Sequence, residues 1–191
     1  MKRLFAALPL LVAGIAHADS VEWKLDPSHT SIGFTVPHLV VSSVDGRFKE
    51  ASAVVKLDDA DLTKSDVSVT INAASVDTGD AKRDEHLRSP DFFDAKKFPT
   101  LTFKSTKISK AGKGYTLTGN LTIRDVTKPV TLDAIVSAPV KTPWGNQARA
   151  ATLTGKVKRG DFGLKWNKAL ETGGVLVGDD VTINVKAEVT K

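Results

Sequence analysis

The chain has 191 residues, 41% of them hydrophobic and 26% charged, with no cysteine and a formal net charge of +5 at pH 7. That length and apolar share suit one domain with its own core. The missing cysteine excludes disulfides, thiolate metal sites, thiol nucleophiles and lipid attachment through a cysteine.

The first eighteen residues have the layout of a secretory signal. Lys2 and Arg3 are followed by an apolar run from Leu4 to Ile15, and Ala16 and Ala18 place small residues where a signal peptidase reads. The prediction is a signal peptide over residues 1–18, cleaved after Ala18, and one domain over residues 19–191. The run is shorter than the ~20 residues that span a bilayer, and no later segment is apolar enough, so stable membrane insertion is not expected. Cleavage lowers the formal charge to +3, since the leader carries two of the basic residues and no acid. The remaining lysines are dispersed, as in Lys156 and Lys158. Such spacing fits strand-face solubility and edge protection rather than nucleic-acid binding.

Beyond the leader, apolar and polar residues alternate, the mark of half-buried strands. Val21 to Leu25 can add a short entry strand to the eight that follow. Ile32, Phe34 and Val36 follow. Val44, Gly46 and Phe48 share one parity and Ala53, Val55 and Leu57 the other, which predicts a β-bulge between Phe48 and Ala53. Val67, Val69, Ile71 and Ala73 alternate next, then Leu101 and Phe103, and then Tyr115, Leu117, Gly119, Leu121 and Ile123. Val130, Leu132, Ala134 and Val136 form another set, as do Ala151, Leu153, Gly155 and Val157. Val181, Ile183, Val185, Ala187 and Val189 close the series. Eight such strands can form a sandwich or a barrel. Short polar turns such as Lys110 to Gly114 favour an up-and-down barrel. Its interior would be filled by side chains or would hold one small ligand. Inward residues that are mostly aliphatic tilt that choice toward an apolar ligand.

Alternation stops between Val76 and Pro99. Asp80 can cap a short helix containing Arg83 to Arg88; Ser89-Pro90 ends it, and Pro90 can start a further helical turn through Phe92 and Phe93. A long insertion of this kind in a β domain is commonly functional. Arg83, His86 and Arg88 could meet an anionic head group. Alternatively, Arg83 pairs with Asp84, Asp77 or Asp94 and pins the insertion to the barrel. Phe92, Phe93 and Phe98 are either a plug over the barrel end or part of a ligand mouth.

Catalytic signatures are missing: the chain has no Gly-x-Ser-x-Gly elbow, Walker loop or dinucleotide fingerprint. His29, His38 and His86 match no local zinc spacing. Asp58-Asp59-Ala60-Asp61 reads as a solvated turn without the glycine and terminal glutamate of a calcium loop.

Several ordered motifs resemble the YceI family. They include Trp23-x-Leu25-Asp26-x-x-His29, Phe34-x-Val36-x-His38-Leu39 and Gly46-x-Phe48. Next come Asp77-Thr78-Gly79, Arg83-Asp84-x-His86-Leu87-x-Ser89-x-Asp91-Phe92-Phe93-Asp94 and Phe98-Pro99-x-Leu101-x-Phe103. Gly119-x-Leu121-Thr122-Ile123, Val126 to Val130, Arg159-x-Asp161-Phe162-Gly163-Leu164 and Val177-Gly178-Asp179-x-Val181 complete them. Pro37 and Val40-Val41 depart from the family pattern.

The resemblance implies an all-β, eight-stranded antiparallel barrel of lipocalin-like shape, with a short helical insertion between strands 3 and 4. It implies a periplasmic, non-enzymatic protein without a cofactor or metal, holding a polyisoprenoid or fatty lipid in a tunnel, and a homodimer. The expected lining, taken from inward positions and the insertion, is Phe34, Val36, Phe48, Val69, Ile71, Phe92, Phe103, Leu121, Ile123, Leu132, Leu153 and Ile183. Head-group candidates are His38, Arg83, His86 and Arg88. The rival readings are a stress or interaction barrel with a packed interior, and a metal-assisted enzyme built on His29, His38 and His86.

Overall fold

A computed structural model describes residues 20–39, 41–171 and 173–191. The leader expected over residues 1–18 lies outside them. In chain order the elements are β1 (Val21–Leu25), β2 (Ser31–His38), β3 (Ser42–Phe48), β4 (Ala51–Leu57), β5 (Asp66–Asn72), β6 (Val76–Asp77) and α1 (Ala81–Arg88). They continue with β7 (Thr100–Ala111), β8 (Gly114–Ile123), β9 (Val126–Val136), β10 (Val140–Lys141), β11 (Gln147–Lys158) and β12 (Asp180–Thr190).

All pairings are antiparallel, and they close on themselves. From β12 the wall runs through β11, β9, β8, β7, β5 and β4 to β1, which pairs with β12 again through Lys24↔Thr190. Several staves of this wall are broken in two. β2 continues β1 along β12, from Ser31↔Lys186 to Thr35↔Thr182. β3 pairs with β2 whereas β4 pairs with β1, and β6 extends β5 by pairing with β3. Counting continuous staves gives the eight-stranded antiparallel barrel, with α1 inserted between the third and fourth staves as expected. Closure removes the free strand edges.

The parity switch between Phe48 and Ala53 is real, but it is not a bulge within one paired strand. The ladder breaks at Lys49 and Glu50, and both sides of the break turn their apolar residues inward. The register shift occurs instead in β7, between Ser105 and Lys107. There the Ser105 hydroxyl accepts the Val67 N–H at 2.9 Å. The acidic turn also differs from a simple solvated loop. Asp58 is buried, and its carboxylate accepts the N–H groups of Ala60 and Asp61, both at 2.9 Å.

Buried side chains form three clusters, one of them Ile71, Ala73 and Leu101 on β5 and β7 and the turn between them. One end holds Trp23, Val55, Leu57 and Val189, with Trp23 fully buried. The helix end holds Phe92, Phe103, Leu121, Phe162 and Leu164 among others. Strand glycines make space for neighbouring rings. A Cβ at Gly46 would lie 2.3 Å from the tip of the Phe34 ring, and one at Gly119 the same distance from Phe103. Each ring is thus accommodated at the wall instead of filling the lumen.

Candidate ligand-binding site

The insertion is fastened before it can shape anything. Asp80 caps α1, accepting the N–H groups of Lys82 and Arg83 at 3.0 Å. The Arg83 amide bond, with lesser help from Lys82 and the nearby charges, holds the Asp80 carboxyl below its ordinary value. Buried Asp84 accepts both the N–H and the hydroxyl of Thr78, at 2.8 and 2.6 Å. Arg83 returns two donors to the Thr78 hydroxyl and carbonyl, at 2.7 and 2.9 Å. Arg88 donates to the carbonyls of Ala74 at 2.7 Å and Val76 at 3.1 Å. After Ser89 the chain forms hydrogen-bonded turns rather than a second helix: Phe93 N–H donates to Leu87 and Ala95 N–H to Arg88.

A second brace holds the loop between β11 and β12. The guanidinium of Arg159 donates to the carbonyls of Leu164, Gly178, Trp166 and Val177. Burial pushes its pKa down, with Asp179 opposing. This brace places Leu164, Trp166 and Leu176 over the same barrel end as α1.

Inside the wall lies a cavity of about 650 Å³. It falls in the range of small-molecule sites. All twelve apolar residues expected from the sequence line it, from Phe34, Val36, Phe48, Val69, Ile71 and Phe92 to Phe103, Leu121, Ile123, Leu132, Leu153 and Ile183. Val130, Ala134, Val157, Val181, Val185 and Ala187 extend the same surface. The described residues therefore do not form the packed interior of the rival reading.

The head-group candidates divide. His38, Arg83 and His86 line the cavity at the helix end, and Arg88 does not. Arg88 is drawn away by the carbonyls of Ala74 and Val76. Arg83 is engaged by Thr78 and, among the described residues, has no carboxylate within salt-bridge distance, contrary to the expected pairing with Asp84, Asp77 or Asp94. His86 Nε2 lies 2.9 Å from Asp91, and its ring stands edge-on to Trp166 and Phe92, at 4.7 and 5.0 Å between centroids. Phe92 and Phe93 line the cavity, whereas Phe98 lies outside it against Lys97 and Arg124.

The three histidines do not converge. Among the described residues, the one grouping with metal-ligand spacing is Asp26, His29 and Glu188, at the strand junction between β1 and β2. Asp26 is occupied there as a turn organiser, accepting from the Ser28 amide and hydroxyl and facing the His29 ring. Arg149 and Trp166 are among the lining residues not anticipated from the sequence. Arg149 lies on the inward parity of Ala151, Leu153 and Val157, so extending that alternation by one step would have found it. Trp166 sits in an aperiodic loop, where its aromatic side chain is the sole local signal.

The family model for the YceI-like domain matches residues 23–189. A "UPF0312 protein" of Serratia proteamaculans is 43% identical over 161 residues, 84% of each chain. "Protein YceI" of Escherichia coli is 39% identical over 161 residues, again 84% of each. Among solved structures, BcnA of Burkholderia cenocepacia superposes with a TM-score of 0.75 at 28% identity, covering 86% of this chain and 98% of that one. The YceI protein of Campylobacter jejuni gives 0.70 at 38% identity, covering 90% and 98%. A polyisoprenoid binding domain from Saccharophagus degradans shares the fold at 14% identity, with a TM-score of 0.59 over 87% of this chain and 97% of that one. A barrel of this topology, matched across nearly its whole length by the family model and by close relatives, belongs to the YceI family.

Proposed function

We propose that this protein is an exported, periplasmic carrier that holds a long apolar molecule, a polyisoprenoid or related lipid, inside its barrel, and that it binds without catalysing a reaction. The observation that carries this reading is the 650 Å³ cavity lined by the inward parity of the whole barrel wall. The inward run Tyr115 to Ile123 alone covers about 27 Å of strand at ~3.4 Å per residue. Such a shape suits a flexible chain better than a compact polar solute. At ~0.8 kcal/mol per buried methylene, a chain of about twenty carbons gains on the order of 16 kcal/mol gross. That offsets the ~4–15 kcal/mol lost in association. The name of the Saccharophagus relative agrees with an isoprenoid occupant. The basic start and small-residue end of residues 1–18 support export.

The test is native purification followed by denaturing mass spectrometry, together with uptake of a labelled isoprenoid by delipidated protein. Stoichiometric lipid or saturable uptake is expected; neither in a correctly folded sample would refute the reading. The proposal also takes the protein to be a homodimer, which light scattering of the same sample reads.

A further inference from the structure

At the end of the cavity remote from α1, one charged side chain lines the cavity with buried donors that no described residue accepts. Arg149 opens the inward series of β11, paired with Val189 of β12. Its side chain is only 6% exposed and it lines the cavity. Its Nε and Nη1 donors are buried and have no hydrogen-bond partner among the described residues. Nη2 lies 3.6 Å from the Asp59 carboxylate, too far for a good hydrogen bond, and Asp59 is also held by Lys191. The guanidinium carbon lies 5.6 Å from the Trp23 ring, whose Nε1 is likewise buried and unpaired. Nearby Asp58 is already used by the Ala60 and Asp61 amides.

This contrasts with the helix end. Arg83 there is hydrogen-bonded to Thr78, and His86 to Asp91. Buried donors are nearly always satisfied, and leaving a charged one unpaired is costly. A pure hydrocarbon filling the cavity would leave the Nε and Nη1 donors of Arg149 without a hydrogen-bond acceptor. Oxygen acceptors on the ligand would not, and a planar guanidinium fits a carboxylate well.

We infer that Arg149 receives an oxygen-bearing head group, a carboxylate in the best-fitting case, so that the ligand lies head-inward beside Trp23 with its tail toward α1 and Trp166. The inference rests on the proposed function, because it names the polar end and the direction of the chain that the barrel would hold.

Two probes of equal length separate the two ideas: hexadecanoate and 1-hexadecene, each titrated against a displaceable apolar dye on delipidated protein. The wild type is expected to prefer the carboxylate by at least about tenfold. Arg149→Met, which keeps the apolar stem and removes the donors, is expected to lower that ratio by about the same factor, and Arg149→Lys by less. Circular dichroism checks that the variants fold. Orientation is read independently in Trp144→Phe/Trp166→Phe protein, where Trp23 is the sole tryptophan. Hexadecanoate brominated beside its carboxylate should quench Trp23 more than hexadecanoate brominated at its tail. Equal quenching, or the reverse order, overturns the inference even if Arg149→Met cannot be produced. Equal wild-type affinity for both probes overturns it while leaving the carrier reading intact. Binding of neither probe overturns the inference, and the carrier reading falls with it only when labelled isoprenoid also fails to bind.

Discussion

Gly46→Ala tests why the barrel is hollow. The new Cβ would sit 2.3 Å from Phe34 Cζ and 2.8 and 2.9 Å from the two adjacent ring carbons. Ordinary carbon contacts are about 3.5–4.0 Å, so the ring must retreat by more than ~1 Å. The wall blocks one direction, because Gly46 is the cross-strand partner of Phe34. Phe48, 5.8 Å away and itself 5.5 Å from Phe93, limits another. The ring therefore moves into the lumen. Overpacking costs about 1–3 kcal/mol, and the smaller entropy of the unfolded alanine chain returns ~0.4–1 kcal/mol. The net expectation is a destabilisation of about 0.5–2 kcal/mol, or a few degrees in Tm. Displacing about two methylenes of a bound chain weakens binding by roughly tenfold. Thermal unfolding and displacement of an apolar dye measure both effects. Adding Phe34→Leu to Gly46→Ala should restore binding through a coupling that a double-mutant cycle resolves. Unchanged Tm and unchanged affinity in Gly46→Ala would refute the argument that this glycine holds the cavity open.

Other expectations follow from the two ends of the barrel. Trp23→Ala removes the fully buried ring that packs with Val55, Leu57 and Val189, and should cost about 3–5 kcal/mol in urea unfolding. Arg159→Met leaves four carbonyls without their shared donor and should cost at least ~3 kcal/mol, with hydrogen exchange rising most over residues 160–178. The Asp26–His29 pair gives a pH signature. The Ser28 hydroxyl, then His29, holds the Asp26 carboxyl well below the usual range, and Asp26 raises His29. Asp26 thus contributes stability above its unfolded pKa of ~3.9, lost as pH falls through its lower folded value. His29 contributes below ~6.5, and that part is lost as pH rises through its raised folded value. Asp26→Asn should flatten both limbs of a stability-against-pH curve, and an NMR titration should show the His29 pKa falling back toward its ordinary value.

Alternation by itself determined the inward face of the strands, because side chains on a strand must point to opposite sides in turn. Eleven lining residues from Phe34 to Ile183 were legible for that reason, Phe92 was read from the insertion, and the Asp80 cap of α1 was legible from local chemistry. What one strand's pattern cannot encode is the partner of its edge. Joining β12 to both β11 and β1, splitting the first staves at Lys49 and at the Asp26 turn, and sending the Arg88 donors to Ala74 and Val76 are matters of long-range pairing. The hollow interior is equally tertiary, since it depends on Phe34 and Phe103 finding glycines on the neighbouring strands. Arg149 shows the division most clearly. Its parity was written in the sequence, but its isolation arose only when closure buried it beside Trp23 with Asp59 already engaged by Lys191.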